Sequence, residues 1–298
     1  MEKIALSFDE LIGQPKVKVP NPDWIYACDS TRLGYYFFES RSPKRNLILI
    51  HGSGAHSLAG YQYLATSLSS EHDTNVFLFD LRGHGISEGN RGFASSSTIV
   101  ESDFESMVDF VLNQRPYPLF VGGHSWGASL VLSAITRAGH DCKYAGLILI
   151  SPSLGVGSGF NKFSAWNHPY AKLRFCVLVL GEIFGEKSVK RFRAIDLRFP
   201  KEVLDYDAKI VTSYNYPMLK AMLIKTPDLL FQRLSVPCCL TVGSEDELFW
   251  VERMGGCIEK MPESSRQKSI FSIVDGAKHL SIVLNIEKIL VDFMDNLS

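Results

Sequence analysis

The sequence predicts an α/β protein, with a mostly parallel central sheet flanked by helices and a helical insertion. Three observations predict it. Short apolar runs alternate with longer segments of helical spacing. Several of the runs end in loops of small or polar residues. The chain has 298 residues, 46% of them hydrophobic, which is enough for one large core with an insertion. Strands alternating with helices imply parallel pairing and a sheet covered on both faces.

In chain order, residues 46–50 read as a strand closed by His51-Gly52, and 61–70 as a helix. A second strand covers 76–79 and ends at Asp80. Residues 101–112 have helical spacing, with Phe104, Met107, Val108, Val111 and Leu112 on one face. The apolar run Leu119-Phe120-Val121 leads into a sharp turn, and a helix follows over 128–138. Further strands are read at 147–150, 238–242 and 269–274, and further helices at 251–260 and 282–293. Residues 153–233 break the rhythm. They begin with Gly155, Gly157 and Gly159, then become aromatic with Phe160, Phe163, Trp166, Tyr170, Phe175 and Phe184. The expected organisation is a core of 1–152 and 234–298, with 153–233 inserted as a cap over the carboxyl ends of the strands, where ligands bind in such sheets.

Composition excludes some functions. A net charge of −1 argues against a dominant nucleic-acid surface. The six cysteines form no C-x-x-C pair, and neighbours Cys238 and Cys239 should point to opposite faces of a strand. They read as reduced thiols of a cytoplasmic protein. Residues 1–20 lack the shape of a signal peptide, and no run of about 18 apolar residues is present to span a bilayer.

The stretch Gly123-His124-Ser125-Trp126-Gly127 lies between a strand and a helix. There, G-x-S-x-G lifts a serine into an exposed turn while the glycines let backbone pass close by. A serine hydroxyl needs a base and an orienting acid, which follow the serine in the order acid, then histidine. The strand 238–242 is followed by Gly243-Ser244-Glu245-Asp246, and 269–274 by Asp275-Gly276-Ala277-Lys278-His279. Ser125, Asp246 and His279 are therefore the candidate nucleophile, acid and base, with Glu245 and Glu247 competing for the acid. His168 and His140 are set aside, the first in the insertion and the second at a polar helix end. An oxyanion needs two backbone N–H donors. These are assigned to Trp126, after the serine, and to Ser53 in His51-Gly52-Ser53-Gly54, where His51 orients the loop.

With these residues in place, the chain resembles the α/β-hydrolases, and within them the monoacylglycerol lipase and lysophospholipase group, classed with serine aminopeptidase-type hydrolases. Three motifs carry the resemblance: His51-Gly52-Ser53-Gly54-Ala55-His56-Ser57, Asp80-Leu81-Arg82-Gly83-His84-Gly85-Ile86-Ser87-Glu88-Gly89 followed by Arg91-Gly92, and the serine turn. It covers roughly 45–295 apart from the insertion. It implies a carboxylic ester hydrolase acting on lipid-like esters, with no metal and no organic cofactor. Ser125, Asp246 and His279 match the family's triad, Ser53 and Trp126 its oxyanion donors, and residues 80–87, His84 included, a structural loop. The chain departs from the pattern at Ala128, Trp126 and Lys278, where a glycine, a methionine-like residue and a glycine are usual.

The insertion decides the substrate. Its apolar residues could line an acyl pocket, rest on a lipid surface over 173–184, or pack against the cap's own core. Between Glu186 and Glu202, six Lys/Arg against three Asp/Glu suit an anionic surface or a solvated face. An aminopeptidase would use cap carboxylates such as Glu182, Glu186, Asp205 or Asp207 to hold an amine. A lactonase and a non-catalytic ligand-binding protein remain as alternatives.

Overall fold

The computed structural model describes residues 9–138, 143–155, 158–164 and 168–297. His140, Cys142, Gly157 and Trp166 of the sequence reading lie outside the described residues. Eight strands form the central sheet: β1 (Pro22–Tyr26), β2 (Arg32–Phe38), β3 (Arg45–Ile50), β4 (Thr74–Phe79), β5 (Leu119–His124), β6 (Gly146–Ile150), β10 (Cys238–Gly243) and β11 (Ile270–Val274). Their spatial order is β1-β2-β4-β3-β5-β6-β10-β11. The β1–β2 and β2–β4 pairs are antiparallel and every other pair is parallel.

The inner strands, such as β3, β4 and β10, are buried along their whole length because both faces are covered. Successive side chains point to opposite faces. Ile48 and Ile50 of β3 enter a core with Phe104, Met107 and Val131. Leu47 and Leu49 enter a second core with Leu64, Leu68 and Phe293. Cys238 and Cys239 divide between the same two cores, as expected. The helix Ser97–Gln114 starts where the Ser96 side chain accepts the Ile99 N–H at 3.1 Å, which replaces a missing intrahelical acceptor. Phe104, Met107, Val108 and Val111 of its expected face are buried, and Leu112 is partly buried.

Between β6 and β10 the chain leaves the sheet. The expected helices are present, including Phe175–Phe184 and Tyr216–Met222. A small antiparallel sheet, which the sequence reading did not anticipate, accompanies them: β7 (Ala171–Leu173), β8 (Arg193–Leu197) and β9 (Ser213–Asn215). The stretch read as one helix over 251–260 is two short ones, Val251–Met254 and Gly256–Glu259, meeting at Gly255-Gly256. Residues 282–293 likewise divide into a 3₁₀ turn, Ser281–Leu284, and the helix Glu287–Asp295. β1 and β2 were not read from the sequence at all.

A close backbone contact lies where the helix Trp126–Ala138 leaves β5. A Cβ on Gly127 would stand 2.4 Å from the His51 carbonyl oxygen and 2.6 Å from that of Ile50. Both obstacles are backbone and cannot rotate away. Gly127→Ala is expected to lower stability by roughly 1–3 kcal/mol, the usual range for overpacking. Denaturant midpoints would test this, and an unchanged midpoint would contradict the contact.

Candidate active site

Ser125 follows β5 with φ +53°, a left-handed conformation that a serine adopts only when its surroundings hold it there. Its N–H donates to Ile150 O at 2.9 Å, and its carbonyl accepts from Ser129 N and Ser153 N, both at 3.2 Å. Gly123 makes room for the turn, since a Cβ there would sit 2.4 Å from the Gly127 carbonyl carbon.

The loops after β10 and β11 deliver the two partners. His279 Nε2 lies 3.1 Å from Ser125 Oγ, and His279 Nδ1 lies 2.9 Å from Asp246 Oδ2. Asp246 Oδ1 accepts the Leu248 and Phe249 N–H groups at 2.9 and 3.1 Å. Burial alone would push the Asp246 carboxyl up. The charge of the adjacent imidazole and the hydrogen bonds from His279 and Leu248 outweigh that, and it stays below its ordinary value. Of the competing acids, Glu245 is exposed. Glu247 accepts the His279 backbone N–H at 2.8 Å and so holds the loop.

The loop after β3 passes directly beside the serine. A Cβ on Gly52 would meet Ser125 Cβ at 3.4 Å. Ser53, Ser125 and Trp126 line one small cavity. The Trp126 N–H heads its helix, where N–H groups have no intrahelical acceptor. Three groups from beyond β6 grip the other side of this loop. Tyr170 OH donates to Ser53 O at 2.8 Å, Val211 N–H donates to Gly54 O at 2.8 Å, and Gly54 N–H donates to Tyr214 OH at 2.5 Å.

A second set of bonds runs beneath the serine. Gly52 N–H donates to Tyr61 OH, Tyr61 OH lies against His124 Nδ1, and His124 Nε2 lies against His279 O, each at 2.8 Å. No pattern in the sequence assigned a role to Tyr61, His124, Tyr170 or Tyr214. The sequence reading set aside His168, which lies in the wall of the small cavity and whose Nδ1 accepts the Tyr170 N–H at 3.3 Å. Lys162 Nζ donates to Asp246 O at 2.7 Å and supports the acid's loop.

His51 and His84 are held by hydrogen bonds within the adjoining loops. His51 Nε2 accepts the Leu81 N–H at 3.2 Å, and His84 lies between Arg82 O and Tyr214 OH at 3.0 and 2.9 Å. Asp80 holds the adjoining loop by accepting Ser57 N–H and Ile86 N–H at 2.6 and 2.8 Å. Among the described residues, Glu71, His72 and Glu287 could together approach a metal ion. They sit at the far end of the helix Tyr61–Glu71, and His72 is already bonded to Glu287 at 2.5 Å.

Burial pushes His51 down to about 4 and His124 down to about 3, and it moves His84 far down as well. These imidazoles stay neutral in the folded state, whereas the unfolded chain takes up protons below its ordinary value of 6.5. Stability is therefore expected to fall as pH drops from about 6.5 to 4, by at most roughly 1.4 kcal/mol per pH unit for each histidine. Urea midpoints at pH 7 and pH 5 would check this, and equal midpoints would refute the neutral assignment.

A family profile described as "Serine aminopeptidase, S33" matches residues 41–282. The chain is 29% identical to the monoglyceride lipase of Homo sapiens over 248 residues, 82% of this chain and 78% of that protein. It is 30% identical to the monoglyceride lipase of Rattus norvegicus over 250 residues, with the same coverage. Its fold resembles a soluble variant of monoglyceride lipase from Saccharomyces cerevisiae solved with a substrate analog, at TM-score 0.76 and 18% identity, covering 96% of this chain and 98% of that one. The fold is thus the α/β-hydrolase fold, and the chain belongs to the serine aminopeptidase S33 family.

Proposed function

We propose that the protein is a serine hydrolase that cleaves lipid-like carboxylic esters through an acyl-enzyme. The observation that carries this reading is the line Ser125 Oγ–His279–Asp246, with separations of 3.1 and 2.9 Å, opening into an apolar cavity. His279 takes the Ser125 proton as Oγ attacks the ester carbonyl. Asp246 keeps the imidazole in the tautomer that accepts at Nε2, and stabilises its charged form. The N–H groups of Ser53 and Trp126 receive the oxyanion. His279 then protonates the leaving alcohol and afterwards activates water. No step calls on a metal or an organic cofactor.

The monoglyceride lipase relatives support a lipid-like substrate, of monoacylglycerol or lysophospholipid type. Segment 153–233 acts as the cap. Of the four carboxylates a peptidase would use to hold an amine, Glu182, Glu186, Asp205 and Asp207, three are otherwise engaged. Glu182 pairs with Lys225 and Tyr216, and Glu186 with Ser97 and Lys220. Only Asp207 of these four lines a cavity at the serine, and His56 holds it at 2.5 Å.

The cap also rests on lipid surfaces. Helix Phe175–Phe184 is apolar nearly all round, yet Ile183 and Phe184 are 66% and 67% exposed, with exposed Lys187, Lys190 and Arg191 just beyond them. No described helix is long and apolar enough to cross a membrane, so the contact is peripheral. Ile183→Glu with Phe184→Glu should reduce co-sedimentation with anionic vesicles several-fold, and unchanged sedimentation would remove this contact.

Ser125→Ala is expected to lower p-nitrophenyl ester hydrolysis by about 10⁶-fold, as for other serine nucleophiles. It should also abolish fluorophosphonate labelling. A wild-type protein that neither turns over esters nor takes the label would overturn the reading.

A further inference from the structure

Four backbone N–H groups run along the loop after β3, from Gly52 to Ala55, and three of them are used. Gly52 N–H donates to Tyr61 OH at 2.8 Å, Gly54 N–H to Tyr214 OH at 2.5 Å, and Ala55 N–H to Gly52 O at 3.2 Å. The Ser53 N–H meets no acceptor among the described residues, although Ser53 is buried. Buried N–H groups are ordinarily paired, so the exception marks where an outside acceptor belongs.

The peptides on both sides of Ser53 are held. Ahead of it, Gly52 O accepts from Ala55 N–H and lies 2.9 Å from His51 Nδ1. After it, the Ser53–Gly54 peptide is gripped at both ends by tyrosines of the cap. Tyr170 OH donates to Ser53 O at 2.8 Å, and Tyr214 OH accepts the Gly54 N–H. A planar trans peptide points its C=O and N–H in opposite directions, so one bond at each end fixes its plane. We infer that Tyr170 and Tyr214 are positioning residues, which orient this loop so that the Ser53 N–H stays free for the oxyanion. The inference rests on the ester-hydrolase reading above and extends it: the cap sets up one oxyanion donor as well as enclosing substrate.

Proton positions agree with this at every step. His84 Nδ1 lies 3.0 Å from Arg82 O, which can only accept, so that nitrogen carries the proton. Burial keeps the ring neutral. Its Nε2 is therefore an acceptor, and it takes the Tyr214 O–H at 2.9 Å. With its proton directed to His84, the Tyr214 oxygen is left to accept, and it accepts the Gly54 N–H. His84 thus fixes which way the Tyr214 hydroxyl faces. Burial also pushes both phenols up, so Tyr170 keeps the proton that it directs to Ser53 O.

Tyr170→Phe and Tyr214→Phe each delete one hydroxyl and keep the ring. With p-nitrophenyl butyrate, kcat should fall at least about tenfold in each, less than the roughly 10²–10³ lost with an oxyanion donor itself, while KM changes by less than about twofold. A trifluoromethyl ketone adds to Ser125 Oγ and leaves its own oxygen as an oxyanion. Its Ki should rise by about the factor by which kcat/KM falls, because it binds as the transition state does. A role in stability alone would shift the urea midpoint and leave kcat and Ki of the folded protein unchanged. If Tyr214→Phe does not fold, Tyr170→Phe decides, since its ring keeps the edge-on contact with Phe199 at 5.2 Å. A kcat within about twofold of wild type in Tyr170→Phe, or a loss confined to KM with Ki unchanged, would overturn the inference and leave the ester-hydrolase reading standing. Wild-type protein that neither hydrolyses esters nor takes a fluorophosphonate would overturn both.

Discussion

The approach of the helix Trp126–Ala138 to the end of β3 sets the geometry on which the site depends. Gly127 lies against the carbonyls of Ile50 and His51, and Gly123 against Gly127 itself, at distances that leave no room for a side chain. This packing brings the loop after β3 next to Ser125 and turns the serine out of the sheet. The left-handed φ of Ser125 is a local cost. Bonds from Ser125 N–H to Ile150, and from Ser129 and Ser153 to the Ser125 carbonyl, offset it. The turn is over-determined by its neighbours, so the position of Ser125 does not rely on its own preference.

The second organising device is a set of long-range polar ties. On the core side, Tyr61 and His124 join the Gly52 backbone to the His279 backbone. On the other side, Tyr170, Val211 and Tyr214 hold Ser53 and Gly54. The loop bearing Ser53 is thus clamped between the sheet and segment 153–233. That segment shapes a cavity and also constrains the backbone N–H assigned to the oxyanion. A change in its packing would reach the reacting atoms through three hydrogen bonds.

The sheet interior was legible in the sequence where strands are buried on both faces. Runs such as Leu47–Ile50 and Cys238–Val242, short and bounded by turn residues, fit strands buried on both faces. The order of Ser125, Asp246 and His279 was legible too, because parallel topology puts the loops after β5, β10 and β11 at one edge of the sheet. β1 was not, since four of its five residues are exposed and it pairs only at the sheet's rim. β7 to β9 are three to five residues long and carry Lys172, Arg193 and Asp196, so their pairing leaves no periodic trace. The contacts of Tyr61, Tyr170 and Tyr214 left no trace for a related reason. Tyr61 meets His124 across 63 positions, and Tyr214 meets Gly54 across 160, so no spacing rule records them.

The neutrality of His124 suits the proposed mechanism, in which charge gathers at one place. Its ring centre lies 4.9 Å from that of His279. A proton on His124 would oppose the imidazolium that the proposed mechanism forms on His279. Burial prevents this by holding His124 well below neutrality. The one positive charge that develops therefore forms between Ser125 and Asp246, whose carboxylate is fully buried and already aligned by two backbone N–H groups. The apolar walls of the larger cavity add to this. A hydrocarbon seated there removes water from the His279 side, and with water gone the carboxylate–imidazolium attraction strengthens.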